Sequence, residues 1–187
     1  ITDEGTTRIA YLWDQTIGNT DNQIGRDGTI YTSEQINEAL RNSEINQQIM
    51  VVPSQDTLGH GTALAGVAAG NGRGSANRQN RGVAPGCEMV IVKVGHGERN
   101  YPRDIDIMRG IDFVIEKSGT RKNIEIDFFG GEPLMNWDVV KQVVAYAREV
   151  EKEHNKNFRF TLTTNGMLID DEVIEYSNKE MHNVVLS

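Results

Sequence analysis

Apolar residues in this chain fall into short runs that alternate between strand-like and helix-like spacing. Arg8-Ile9-Ala10-Tyr11-Leu12-Trp13 is an apolar run ending at Asp14, the pattern of a buried strand with a carboxylate at its C-terminal edge. Thr20 to Tyr31 is rich in Asp, Asn and Gly and reads as loop. Ser33 is a candidate N-cap for a short helix carrying Ile36, Ala39 and Leu40 at helical spacing. Ile49-Met50-Val51-Val52, stopped by Pro53, predicts a strand. Small residues from Gly59 to Gly70 predict a helix packed tightly inside a fold, and Asn71 to Arg81 reads as polar loop. Met89 to Val94 predicts another strand, followed by a helix marked by Ile105, Met108, Ile111, Phe113, Val114 and Ile115 that runs to Lys117.

The texture changes at Ser118. Ile124 to Phe129 predicts a strand, Trp137 to Lys152 a long amphipathic helix, Phe158 to Thr163 a strand, Asp170 to Asn178 a helix and Val184 to Leu186 the opening of a strand. Strands and helices alternate throughout, so the expected class is α/β, with right-handed crossovers and a mostly parallel, doubly wound sheet carrying helices on both faces. One sheet is favoured over two lobes, because a part ending at strand 88–94 and a part beginning at strand 124–129 would each expose an unpaired edge.

Composition narrows the partners. A net charge of -8 over 187 residues repels phosphate backbones and anionic bilayers, so neither nucleic acid nor a membrane is an expected partner. No apolar run approaches the length that crosses a bilayer, and the first residues have neither a charged n-region nor an apolar h-region. The chain has no initiator Met and is expected to begin inside a longer reading frame; the cytoplasm is the favoured compartment. A hydrophobic share of 37%, 19 glycines and a mean hydropathy of -0.48 suit a polar, loop-rich protein or a fragment missing some of its buried strands. Cys87 is the single cysteine, which excludes an internal disulfide and any site needing several thiolates. The histidines beyond His60, which are His96, His154 and His182, show no recognised metal-ligand spacing.

Two constellations carry chemistry. In the first, glycines flank His60 in Gly59-His60-Gly61-Thr62 and leave room for a substrate to approach the imidazole. A histidine so placed can take a proton from a nucleophile when a carboxylate fixes its tautomer, and Asp14 is the natural orienting acid. The plainer alternative is a capping or core histidine and a strand-end carboxylate. Asp56-x-x-Gly59-His60-Gly61-Thr62-x-x-Ala65-Gly66, with Gly82-Val83-Ala84-Pro85 and the strand ending Val92-Lys93-Val94, resembles the subtilisin-like serine peptidases. Leu12-Trp13-Asp14-Gln15-Thr16 is similar to their clostridial-type branch. The resemblance covers residues 8–116 and implies that Asp14 is the triad's orienting acid and His60 its general base. The family's nucleophile lies in a downstream Gly-Thr-Ser motif that nothing here matches, since Gly119-Thr120 is followed by Arg121.

In the second constellation, Gly130 and Gly131 after a strand permit close backbone approach to a ligand, and Glu132 supplies a carboxylate suited to a cationic amine. A tight βα turn is the plainer alternative. Phe128-Phe129-Gly130-Gly131-Glu132-Pro133-Leu134 and Thr163-Thr164-Asn165-Gly166 resemble the radical SAM superfamily. The run from Ser118 to Ser187 is close to the maturases that install thioether crosslinks in the SCIFF peptide. That resemblance implies that Gly130, Gly131, Glu132 and Pro133 bind the amino group of S-adenosylmethionine. It also implies a [4Fe-4S] cluster in the parent family, held by a three-cysteine motif absent from this chain. No cofactor is therefore expected here.

The two resemblances meet near Ile111 to Ser118, giving a partial subtilisin-like domain over 1–116 and a partial radical SAM βα-barrel segment over 117–187. The expected function is that of a subtilisin-like serine endopeptidase fragment with Asp14 and His60 but no serine, inactive as it stands, its partner a peptide or protein substrate. The alternatives are a truncated radical SAM peptide maturase without its cluster cysteines, and a non-catalytic folded or peptide-binding module. If the second part completed the first part's sheet, Asn165 would stand where a subtilase places its oxyanion-hole asparagine.

Overall fold

A computed structural model describes residues 1–18, 28–94, 104–129 and 132–186. It divides into two compact units, Ile1–Tyr101 and Pro102–Ser187. The class is α/β as expected, but the strands form two three-stranded sheets.

In the first unit, β1 (Ile9–Asp14) is the central strand. It pairs antiparallel with β2 (Thr29–Thr32) and parallel with β3 (Met89–Lys93). The register sets Asp14 opposite both Thr29 and Lys93, so the C-terminal end of β1 is fenced on two sides. Thr29 to Tyr31, read as loop from composition, is therefore strand; the rest of that predicted loop, 20–27, lies outside the described residues. Tyr31 supplies the apolar contact that the polar stretch before it hid, and it is buried with Trp13, Ala39 and Ala69.

Thr32, one residue before the expected Ser33, caps α1 (Ser33–Arg41): its N–H donates to Gln35 Oε1 at 2.9 Å. The Ile49–Val52 run, expected as a strand, instead ends α2 (Ile45–Val51). A short apolar run does not distinguish a strand from a helix face. Here no neighbouring strand pairs with it, and the polar Asn46-Gln47-Gln48 turn continues into it as helix until Val52, whose place before Pro53 disfavours further helical backbone. The small-residue helix is α3 (His60–Ala69). Contrary to the tightly packed setting expected, it buries only Ala69 and leaves Leu64 and Val67 exposed.

The second unit holds α4 (Asp104–Lys117), β4 (Asn123–Phe128), α5 (Trp137–Glu153), β5 (Asn157–Thr164), α6 (Asp171–Glu180) and β6 (Asn183–Leu186). Its sheet runs β4-β5-β6, all parallel, as its successive strand-helix-strand crossovers require. The central strand β5 reads Phe158, Phe160, Leu162 on its buried side. Phe160 stacks between Phe128 and Phe158, with centroids 6.1 and 6.2 Å away. Ile115 of α4 and Val144, Ala147 and Val150 of α5 close over these rings. Each of these buried Phe, Ile and Val side chains stabilises the unit by about 1.5–3 kcal/mol through removal of apolar surface from water.

The single-sheet expectation is corrected by this topology: β3 and β4 lie in different sheets. β3 completes its only described parallel pairing on β1, whereas β4 is claimed in register along its whole length by β5, from Asn123–Asn157 to Phe128–Leu162. Asn165 consequently belongs to the β4-β5-β6 unit.

Candidate functional site

Asp14 sits at the C-terminal end of β1 with no solvent-exposed surface. Gly28, at φ +102°, lets the chain entering β2 press against it: a Cβ there would fall 2.4 Å from the Asp14 carbonyl oxygen and 2.8 Å from Trp13 Nε1. The carboxylate is fully engaged. Oδ1 accepts from the Thr16 N–H at 2.8 Å and the Thr16 hydroxyl at 2.5 Å. Oδ2 accepts from the Ser54 hydroxyl at 2.5 Å and from Lys93 Nζ at 3.0 Å. A carboxylate offers about four lone-pair sites, so these donors saturate it. Burial alone would push the Asp14 carboxyl up, but the bonds from Ser54, Thr16 and Lys93 outweigh it and hold the group below the usual carboxylate range. Lys93 also donates to the Gln55 carbonyl at 3.0 Å, so it and Ser54 pin the 54–55 segment to the sheet end.

His60 is the first residue of α3 and is exposed. The turn before it requires Gly59, whose φ of +76° is left-handed and disfavours any residue with a Cβ. Among the described residues no hydrogen bond joins His60 to Asp14. The carboxylate that organises the histidine's surroundings is Asp56. It accepts from the Gly59 N–H at 2.9 Å, the Thr62 N–H at 2.7 Å and the Thr62 hydroxyl at 2.8 Å, tying the entry turn to the first turn of α3. The Thr62 N–H and hydroxyl, with the Gly59 N–H, hold the Asp56 carboxyl below its ordinary value, and its negative charge suits the positive end of the helix. The sequence offered a signal for this role, an Asp three residues before Gly59 in a motif valued for its histidine.

Of the second candidate set, Gly130 and Gly131 lie outside the described residues. Pro133 opens the 3-10 turn Pro133–Asn136, where its missing N–H costs nothing. Glu132 fastens that turn to the end of β5. Its Oε1 accepts from the Leu134 N–H at 3.1 Å and the Thr164 hydroxyl at 2.7 Å, and its Oε2 from the Asn165 N–H at 2.9 Å. Asn165 and Thr164, then Leu134, hold the Glu132 carboxyl below its ordinary value. Thr164 in turn accepts from the Gly166 N–H at 3.1 Å. Among the described residues three donors reach the carboxylate and one of them Oε2, so its chemistry fits an ammonium group, S-adenosylmethionine's included. A [4Fe-4S] cluster does not fit these residues: Cys87 is the one thiol, and it belongs to the other unit. Among the described residues no group of His, Cys, Asp or Glu is arranged to hold a metal ion, and no helix is long and apolar enough to cross a membrane.

Comparison with known proteins returns both halves of this picture. The subtilase family model matches residues 12–127, and the radical SAM superfamily model matches residues 93–185. The two matches share 93–127, from the end of β3 through most of β4. The chain is 35% identical over 79 residues to the radical SAM cyclopropyl synthase TigE of Paramaledivibacter caminithermalis, covering 41% of this chain and 16% of that protein. It is 35% identical over 92 residues to the uncharacterized protein MJ0907 of Methanocaldococcus jannaschii, covering 48% of this chain and 30% of that protein. It thus spans less than a third of either relative and joins parts of two families.

Proposed function

Because the chain belongs to the subtilase family through residues 12–127, we propose that its first unit keeps the peptidase positions of Asp14 and His60 without working as a peptidase. One observation carries this reading: every acceptor position of Asp14 is taken by Thr16, Ser54 and Lys93, and none by His60. An imidazole without an orienting carboxylate is a poor general base, and the 187 residues contain no Gly-Thr-Ser nucleophile motif. Loss of the nucleophile alone lowers turnover on the order of a million-fold in enzymes of this chemistry. Asp14 then acts as a structural fastener for the sheet end, and the unit as a folded scaffold whose partner is a peptide or protein. The test is hydrolysis of a fluorogenic peptide library by the purified chain beside its His60→Ala variant. Equal background rates are expected; turnover abolished by His60→Ala would falsify the reading.

A second reading applies to the other unit. Glu132, whose Oε2 accepts one hydrogen bond among the described residues, supports recognition of the amino group of S-adenosylmethionine, as the radical SAM match to residues 93–185 suggests. Reductive cleavage is not part of the proposal, since the cluster's sulfur ligands are not among these residues. Calorimetric titration of S-adenosylmethionine should give weak saturable binding that Glu132→Gln removes; binding that Glu132→Gln leaves intact would reject the assignment.

A further inference from the structure

The first unit has a cavity of about 310 Å³ that neither reading uses. Its wall includes Asp3, Arg8, Asn71, Arg78 and Arg81. Three guanidinium groups against one carboxylate leave an excess of positive charge inside a chain of net charge -8. The surrounding sequence sharpens that contrast: Thr57 to Cys87 contains arginines at 73, 78 and 81 and no Asp or Glu.

The three arginines are not equivalent. Arg78 is neutralised by Asp3, its Nη2 lying 2.5 Å from Oδ1. Arg8 donates to the Cys87 carbonyl at 3.0 Å and to the Ala69 carbonyl, both uncharged partners, while its buried Nε–H has none among the described residues. Among the described residues no carboxylate forms an ion pair with it. Arg81 is exposed and makes no hydrogen bond or ion pair among the described residues. The loop that presents Arg78 holds two successive non-glycine residues in left-handed backbone, Asn77 at φ 52° and Arg78 at φ 54°. Such conformations cost free energy and concentrate where a loop's geometry serves binding.

We propose that this cavity binds a phosphate group, either free phosphate or a small phosphomonoester. Guanidinium is the side chain whose planar fork matches phosphate oxygens with paired N–H donors. The volume lies at the small end of ligand pockets, enough for a compact anion and too small for a large cofactor. Arg81 is the free arm, Arg8 sets the field from behind, and Asp3 occupies Arg78 until the anion competes for it.

Titration of inorganic phosphate and, separately, glycerol phosphate into the chain at low ionic strength, followed by calorimetry and phosphorus NMR, tests the proposal. Saturable binding is expected. Arg81→Gln should weaken it about tenfold or more, the loss of one charge-assisted contact. Asp3→Asn should strengthen it several-fold, because it frees Arg78 and removes a like charge; a purely structural Asp3–Arg78 pair predicts no gain. Circular dichroism confirms that both variants fold. Phosphate and glycerol phosphate arms separate free anion from ester as the preferred form. Absence of saturation in both arms, affinity unchanged by Arg81→Gln, or acetate binding as well as phosphate would each overturn the proposal.

Discussion

Asp14 and Lys93 face each other across the parallel strands β1 and β3 and form an ion pair, Nζ to Oδ2 3.0 Å, around a carboxylate with no exposed surface. Removing one member of such a pair leaves the other unbalanced. Lys93 keeps 30% of its side chain exposed, so the cost is that of a lost charge-assisted bond rather than of a fully buried charge. Lys93→Met should destabilise the first unit by about 1.5–3 kcal/mol in urea unfolding. Asp14→Asn combined with Lys93→Met should cost less than the two single changes added together. Additive costs would mean that the two side chains do not act as a pair.

The same cluster fixes a pH dependence. Asp14 is held below its unfolded value of about 3.9, because hydrogen bonds to the ionised form outweigh its burial. The stability it contributes is therefore fully present above that unfolded value and is lost as pH falls through the lower, folded one. Wild-type unfolding free energy should fall steadily below about pH 4. In Asp14→Asn the fall should be shallower, since one proton uptake is removed. It should not vanish, because Asp56 and Glu132 are depressed in the same direction. An unaltered acid limb in Asp14→Asn would contradict the assignment.

Much of this was legible in the chain. The β1 run ending in Asp14, the Met89 strand, α5 and β5 follow from periodicity, because each carries a sustained apolar run or face; β6, exposed along its length, is marked only by its Val-Val-Leu run. What periodicity does not carry is pairing. Lys93 and Ser54 meet Asp14 from far along the sequence, and a lysine ending a strand looks the same whether it points to water or to a carboxylate. Ile49 to Val52 lacks the length that separates strand from helix, and whether the edge strands β3 and β4 pair with each other is something that no local pattern records. Motif reading likewise singled out His60 and passed over the work of Asp56 three residues before its glycine.

That work is measurable. Asp56→Ala leaves the Gly59 and Thr62 N–H groups without their acceptor at the start of α3. Amide hydrogen exchange at Gly59 and Thr62 should accelerate several-fold, while β1 and β3 amides keep their wild-type rates. Asp56→Asn retains acceptor oxygen on one arm and should fall between. Uniform acceleration across the unit would show that Asp56 supports the whole fold instead of this one helix end.

Glu132 and Thr164 make the corresponding test in the second unit. The Thr164 hydroxyl donates to Glu132 Oε1 and accepts from the Gly166 N–H, so the turn after β4 and the turn after β5 are linked through one oxygen. Glu132→Ala should shift the Leu134 and Asn165 amide resonances and speed their exchange several-fold, since both N–H groups lose an anionic acceptor. Thr164→Val should move Gly166 as well, because it cuts the link at its centre. The double variant should perturb these amides by less than the sum of the single changes, as members of one network do. Leu134 and Asn165 amides that stay in place in Glu132→Ala would remove Glu132 from the role of fastener, and with it the geometric basis for an ammonium site at its carboxylate.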